Sequence, residues 1–374
     1  MKIVFTGGGT AGHIFPIIAV CREMKKIDSN LQFFYIGPKD DFSEKLLSQE
    51  GIEIKIIMAG KIRRYINFKS IFQNIIDLCF KNPIGFFQAL FHIFVLSPDL
   101  IFSKGGYGSL PVVFSGWLLL VPVFLHESDI VPGLANRIAS HFSLEVFVSF
   151  PVEKTEYFPA KKMIFLGNPI RNEILNGDRE RAKKSFNLSG EKPIILILGG
   201  SQGSQRINEV ISFILPGLLT EFEIIHQTGA KNFKEIELES KTFVSKELLK
   251  YYHVFPFLEE ENLKDALAVA SLIISRAGAG IIFEIAVVGK PSILIPLAES
   301  AQNHQLKNAY AYAECGAALV IEENNFTPNF FLERVKYLLS QPERLKKMSE
   351  SAKFFAKPLS AKIIAQYLID YLKQ

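Results

Sequence analysis

Three glycines, Gly7, Gly9 and Gly12, follow the apolar run Ile3-Val4-Phe5 and lead into His13. Glycines at that spacing allow a tight strand-to-helix turn and let backbone N–H groups at a helix start approach a phosphate. A dinucleotide site also requires an acidic residue about twenty positions on, at the end of the second strand, to hold a ribose. Here that strand ends Tyr35-Ile36-Gly37-Pro38. A phosphate or diphosphate site therefore fits better than a nicotinamide or flavin site, and simple strand-to-helix packing is the plainer alternative. His13, near the positive end of the helix dipole, should stay a neutral imidazole able to accept a proton or bond a phosphate oxygen.

Further clusters repeat this placement at strand ends. Lys104-Gly105-Gly106-Tyr107-Gly108-Ser109 follows the apolar run Leu100–Ser103 and reads as a second anion nest, with Ser109 offering a hydroxyl at a helix start. The next strand ends at His126-Glu127-Ser128-Asp129. Asp129 there is a candidate general base, and a loop-stabilising network is the alternative for it and for Glu127. Farther along, Ser201, Gln202 and Gly203 supply a hydroxyl and bare amides at another helix start. Ser275-Arg276-Ala277-Gly278-Ala279-Gly280 precedes a helix whose first turn should hold Glu284. An acid there can complement the dipole or bind ribose hydroxyls. Asn303-His304-Gln305-Leu306-Lys307-Asn308 is a last polar cluster between apolar segments.

Such clusters need strands that end beside one another. Both halves of the 374-residue chain open with an apolar strand, a glycine turn and a helix, the turns beginning at Gly7 and Gly199. Strands at Gln32–Ile36, Leu100–Ser103, Val121–Leu125, Glu223–Gln227, Leu272–Ser275 and Ser292–Ile295 continue to alternate with helices. The pattern predicts an α/β protein of two doubly wound, Rossmann-like domains facing a cleft. The join is expected near Leu166-Gly167-Asn168-Pro169.

Composition narrows the class. Lysine and arginine total 42 against 38 acids, for a net charge of +4, too small an excess for nucleic-acid binding. Apolar residues at 48% and 33 phenylalanines exclude disorder and coiled-coil rods. Cys21, Cys79 and Cys315 have no ligand-like spacing and read as small apolar fillers in a reduced, cytoplasmic protein. The opening residues run straight into the glycine turn, so no secretory signal is expected. The stretch Leu110–Leu125 is short of the roughly 20 residues of a spanning helix. Mean hydropathy is nevertheless +0.20, and the excess lies between residues 65 and 125. The segment 61–81 carries five basic residues against Asp77, Asn82-Pro83 should end one helix and start the next, and Ile84–Leu96 is apolar nearly all round. Either the second helix is core, or Phe80, Ile84, Phe86 and Phe87, rimmed by Lys and Arg, dip into an anionic lipid surface.

Taken in order, the motifs resemble the MurG family of glycosyltransferases, which add N-acetylglucosamine to lipid I. The matching signatures are Gly-Gly-Thr-Ala-Gly-His at 8–13, Gly-Gly-Tyr-Gly-Ser at 105–109, His-Glu-Ser-Asp-x-x-Pro-Gly-Leu-Ala-Asn at 126–136, Gly-Asn-Pro-Ile-Arg at 167–171, Gly-Gly-Ser-Gln-Gly at 199–203, Arg-Ala-Gly-Ala at 276–279 with Glu284, and His-Gln-x-x-Asn-Ala at 304–309. The resemblance implies a GT-B fold, with an acceptor- and membrane-associating domain at 1–166, a UDP-sugar domain at 167–350 and a last helix, 351–374, that returns to the first domain. It implies donor contacts at Thr10, Ala11, Gly12, Arg171, Ser201, Gln202, Gly203, Leu258, Arg276, Ala279, Glu284 and Gln305. Acceptor contacts are implied at Gly105, Gly106, Tyr107, Ser109, His126 and Glu127, with His13 or Asp129 as the base. The implied partners are UDP-N-acetylglucosamine, lipid I and the cytoplasmic leaflet of the membrane, which draws Trp117 into the lipid-facing set. No Asp-x-Asp motif is present to hold a metal on the diphosphate, so neither metal nor cofactor is expected.

Some positions depart from the family pattern. Ala11 replaces a frequent glycine, Asp129 stands where other members carry Asn, Ile281 lies where some have a hydroxyl residue, and Phe257–Leu263 is longer than usual. Rival readings are a glycosyltransferase acting on another lipid such as diacylglycerol, a UDP-sugar epimerase, and a noncatalytic nucleotide-binding scaffold.

Overall fold

Strands such as Ile194-Ile195-Leu196-Ile197-Leu198 are apolar at every position and buried on both faces. That is the signature of parallel sheets covered by helices on each side. The computed structural model describes residues 1–8, 11–61, 68–155, 157–200 and 203–374, the side chains of 11, 68, 69 and 71 excepted. The chain divides into two compact units, Met1–Arg171 with Lys357–Gln374, and Asn172–Ala356.

The first unit runs β1 (Lys2–Thr6), α1 (Ala11–Ile27), β2 (Gln32–Gly37), α2 (Asp41–Gln49), β3 (Glu53–Ile56), α3 (Phe68–Ile76), α4 (Asn82–Leu96), β4 (Leu100–Ser103), α5 (Leu110–Leu118), β5 (Val123–Glu127), α6 (Leu134–Ala139), β6 (Glu145–Val148) and β7 (Met163–Phe165). Its seven parallel strands are ordered β3-β2-β1-β4-β5-β6-β7. The second unit runs α7 (Arg179–Ser185), β8 (Ile194–Leu198), α8 (Gln205–Leu219), β9 (Glu223–Gln227), α9 (Phe233–Phe243), α10 (Lys246–Leu249), β10 (Tyr252–Phe255), α11 (Glu260–Val269), β11 (Leu272–Ser275), α12 (Ala279–Val288), β12 (Ser292–Leu294), α13 (His304–Ala313), β13 (Ala318–Val320), α14 (Pro328–Leu339) and α15 (Pro342–Phe355). Its six strands are ordered β10-β9-β8-β11-β12-β13. The last helix, α16 (Ser360–Leu372), buries Ile364, Leu368 and Ile369 in the core shared by Ile14, Ile17 and Phe124 of the first unit.

In each sheet the strand order reverses beside the first strand, between β1 and β4 and between β8 and β11. Loops leaving the carboxyl ends of strands at such a reversal diverge to opposite faces and open a crevice for ligand. The glycine turns at 7–12 and 104–109 flank the first reversal, and those at 199–203 and 276–280 flank the second.

Several local expectations are corrected. The strand read at Val121–Leu125 runs instead over Val123–Glu127. The Val121 N–H is spent on the Gly116 carbonyl at 2.9 Å, closing the end of α5, while Ser149 bonds Glu127 at the other end. Asn82-Pro83 does not break the helix, since a π turn at Asp77–Lys81 joins α3 to α4. Proline in the first turn of α4 lacks only an N–H that the widened turn leaves without a partner. Cys21 is buried as expected, but Cys79 and Cys315 are exposed and fill no core.

Nor is α4 a core helix. Only Gly85, Ala89 and Ile93 of its length are buried, whereas Phe87, Phe91 and Phe94 are 66%, 63% and 70% exposed. A Cβ on Gly85 would lie 1.8 Å from the Met58 carbonyl oxygen, so glycine is required for this close approach. Phe72–Leu96 is long and apolar enough to cross a membrane by length and composition.

Candidate active site

In the first unit, the turn after β4 brings backbone against backbone. Gly105 and Gly106 hold φ of +83° and +88°, a region closed to most side chains. A Cβ on Gly105 would lie 1.9 Å from Asn136 Oδ1, and one on Gly106 would lie 3.3 Å from His13 Nε2. The Tyr35 hydroxyl donates to the Gly7 carbonyl at 2.6 Å and anchors the other side of the crevice.

His13 Nδ1 lies 3.2 Å from the Lys104 carbonyl oxygen. A carbonyl only accepts, so Nδ1 carries the proton and Nε2 keeps its lone pair. Burial and then the Lys104 ammonium push this imidazole down to about 4. The positive end of the α1 dipole acts in the same direction.

His126 and Glu127 sit inside the fold. His126 is fully buried, with Nε2 donating to the Gly167 carbonyl at 3.1 Å. Glu127 accepts from the Asp129 N–H at 2.9 Å and from Asn136 Nδ2 at 2.7 Å. Burial raises its carboxyl above the ordinary range. Both are buried and hydrogen-bonded within the fold. Ser109 is also buried and donates to the Gly106 carbonyl at 2.9 Å, so it shapes the turn. Tyr107 and Asp129 are half-buried. Arg171 is buried with its guanidinium 3.9 Å from the Phe15 ring centroid, a stacked cation that holds its plane fixed. Gly12 is exposed at the start of α1, where Ala11 is the first residue. Thr10 lies outside the described residues.

In the second unit, Ser201 and Gln202 lie outside the described residues. Gly203 holds φ of +80°, and a Cβ there would meet the Thr228 carbonyl at 2.3 Å. Ser204 caps α8, accepting from the Ile207 N–H. Arg276 fastens this cap: it donates to Ser204 Oγ at 2.8 Å, to the Ile295 carbonyl at 3.2 Å and to Glu323. Arg276 is thus committed within the fold and shapes the turn. Open space borders the backbone at Gly200, Gly278 and Gly280, where an added Cβ would meet nothing within 4 Å. The N-terminus of α12, at Ala279, therefore begins beside free volume, a suitable place for phosphate.

Glu284 stands in the second turn of α12, because the helix begins at Ala279. Gln305 accepts from the Leu297 N–H at 3.1 Å. The Leu258 N–H is taken by Gln227 Oε1 at 2.9 Å, and Gln227 Nε2 reaches the Gly200 carbonyl at 3.0 Å. Gln227 thereby ties the segment before α11 to the glycine turn that begins at Gly199, a link with no local signal in the sequence. Lys104 was read only as part of a turn, yet its side chain is 1% exposed among the groups just described. Among the described residues, no three His, Cys, Asp or Glu side chains converge as metal ligands would.

Comparison with known proteins accords with this arrangement. Residues 3–148 match the glycosyltransferase family 28 N-terminal domain and residues 194–363 the glycosyltransferase family 28 C-terminal domain. UDP-N-acetylglucosamine–N-acetylmuramyl-(pentapeptide) pyrophosphoryl-undecaprenol N-acetylglucosamine transferase 2 of Bacillus cereus is 38% identical, covering 100% of this chain and 99% of its own. The transferase of the same name from Clostridium botulinum is 39% identical over 90% of each chain. The crystal structure of Acinetobacter baumannii MurG aligns with a TM-score of 0.74 at 25% identity over 99% of both chains. With both domain signatures, two doubly wound sheets and relatives matched end to end, the chain belongs to glycosyltransferase family 28 and is an N-acetylglucosaminyltransferase of the MurG type with a GT-B fold.

Proposed function

We propose that this protein transfers N-acetylglucosamine from its UDP carrier to lipid I, the undecaprenyl-diphosphate-linked N-acetylmuramyl-pentapeptide, to give lipid II at the cytoplasmic face of the membrane. The observation that carries this reading is the end-to-end match to N-acetylglucosamine transferases by a chain with glycine turns at the reversal points of both sheets.

The acceptor hydroxyl attacks the anomeric carbon in one inverting displacement, and UDP leaves. His13 is assigned as the base, because its lone pair is on Nε2, next to Gly106. An imidazole near 4 is a weak base alone; an acceptor diphosphate brings negative charge beside it and raises it into a useful range. The Asp129 carboxylate favours the imidazolium that forms. The departing diphosphate is stabilised by the N-termini of α8 and α12 and by Arg171, without a metal or other cofactor. Glu284 is assigned to the ribose and Gln305 to sugar hydroxyls.

Membrane association is peripheral in this reading. Phe72–Leu96 belongs to the crossover from β3 to β4, and α4 is pinned there by Gly60 N–H to Asn82 Oδ1 and Met58 N–H to Gln88 Oε1, each at 2.7 Å. In this reading the helix stays packed on its sheet and lies along the bilayer surface. Phe80, Ile84, Phe87 and Trp117 are exposed; Phe86 is half-buried and packs edge-on against Phe87. Lys61 lies exposed near this face, and Lys81 pairs with Asp77.

The test is transfer of labelled N-acetylglucosamine to a short-chain lipid I analogue, with and without chelator, in wild type and Glu284→Ala. Chelator-resistant product that falls in the variant supports the reading. No product, with UDP-sugar still bound, turns attention to other lipid acceptors such as diacylglycerol or to a noncatalytic scaffold.

A further inference from the structure

Lys104 extends from the end of β4 into the fold and is 1% exposed. Its Nζ donates to His126 Nδ1 at 2.8 Å and to Ser128 Oγ. Ser128 Oγ in turn donates to Asn168 Oδ1 at 2.7 Å. Because His126 Nε2 gives its proton to the Gly167 carbonyl, Nδ1 is the bare nitrogen that an ammonium needs as acceptor. One buried cation therefore fixes a histidine tautomer and links the ends of β4 and β5 to the segment Gly167–Arg171.

Burying an ammonium is costly unless it is paired and hydrogen-bonded. Methionine would fill this volume without that cost, so packing alone does not account for lysine. The groups facing it are His126, Glu127 and Asp129 from β5 and the loop beyond, and His13 from α1. Facing His13 in turn are Lys104 and Asp129.

We propose that Lys104 is a positioning residue for sugar transfer: its carbonyl holds His13 Nδ1, and its buried ammonium adds positive charge near that imidazole and anchors His126 and the Ser128–Asn168 link to the segment that ends at Arg171. This rests on the reading of His13 as base. Burial first and the cation second keep His13 unprotonated in the free enzyme, and the anionic acceptor offsets the cation on binding. His13 thus becomes a competent base only when substrate is present.

The experiment compares wild type with Lys104→Gln, which keeps a hydrogen-bond donor and removes the charge, and with Lys104→Arg, which keeps the charge. The His13 C2–H resonance is titrated by NMR alongside the pH profile of kcat/KM on the lipid I analogue. Removing a nearby positive charge raises a histidine pKa, so in Lys104→Gln the midpoint rises from about 4 by about one pH unit. The acid limb of kcat/KM moves with it, while Lys104→Arg stays at the wild-type position. A midpoint unmoved in Lys104→Gln, or moved equally in Lys104→Arg, overturns the proposal. Failure of both variants to fold also overturns it, by assigning Lys104 to stability alone. A wild type inactive on lipid I counts against the proposed function, whereas the NMR midpoints judge Lys104 independently.

Discussion

The Lys104 carbonyl accepts the Nδ1 proton of His13 at 3.2 Å, and this one contact decides which imidazole nitrogen is available for chemistry. The carbonyl belongs to the residue that opens the second glycine turn, so the turn that borders the crevice also sets the tautomer. His13→Gln keeps an amide donor for that carbonyl and removes the basic nitrogen. It should lower kcat by about 10²–10⁴-fold with little change in acceptor KM, the usual worth of a general base. A kcat within threefold of wild type would move the role to Asp129.

Gly105→Ala tests the turn itself. The added methyl would stand 1.9 Å from Asn136 Oδ1 at a φ of +83°, so either the turn or the Glu127–Asn136 bond must give. Acceptor KM should rise at least tenfold while UDP-N-acetylglucosamine binding, measured by calorimetry, is retained. Equal loss of both would mean that the first unit fails to fold.

Much of this arrangement is legible in the sequence because parallel strands are apolar at every position and end in glycine turns, as Ile194–Leu198 and Leu100–Ser103 do. Less legible is what depends on distant partners. Lys104 looks like a polar turn residue until His126, Ser128 and Asn168 are folded round it. The first-turn expectation for Glu284 takes Gly280 as the residue before the helix, because nothing local distinguishes it from Gly278, the residue that in fact precedes the helix. The π turn at Asp77–Lys81 has no period of its own, so Asn82-Pro83 reads as a break.

Arg276 holds the α8 cap from across the sheet, and Glu323 depends on it. Arg276→Ala leaves that part-buried carboxylate with the Ala298 N–H, which donates to it at 2.9 Å, but without its guanidinium partner. A loss of about 1–3 kcal/mol is expected, seen as a lower Tm, together with weaker donor binding as the turn at 199–203 loosens. An unchanged Tm would mean that Ser204 caps α8 unaided.

Acid should destabilise the fold from pH 6.5 downward. Burial pushes His226 down to about 3, His13 to about 4 and His126 well below its ordinary value. Between those values and about 6.5 the unfolded chain binds protons that the fold refuses, so stability rises with pH in that window. Glu127 acts oppositely, since burial raises it and the fold keeps its proton longer than the unfolded chain. Three histidines outweigh one carboxyl, and stability should fall by on the order of 2 kcal/mol per pH unit between pH 6 and 5. A Tm flat across that range would exclude neutral burial of these imidazoles.

The exposed face of α4 separates lipid binding from folding. Phe87 and Phe91 are 66% and 63% exposed, so replacing both with serine removes little buried area and should leave Tm within about 2 °C, as for surface substitutions generally. If these rings enter the acyl boundary of a bilayer, each contributes about 1.5–3 kcal/mol of transfer free energy. The double variant should then bind phosphatidylglycerol vesicles at least a hundredfold more weakly in a sedimentation assay, with transfer to a detergent-soluble lipid I analogue preserved. Lys81, on the same helical stretch and paired to Asp77 at 2.6 Å, adds a salt-sensitive component that screening weakens. High salt should therefore lower vesicle binding of the wild type only in part, because the aromatic term persists. Vesicle binding unchanged in the double variant would mean that α4 is covered by something other than lipid.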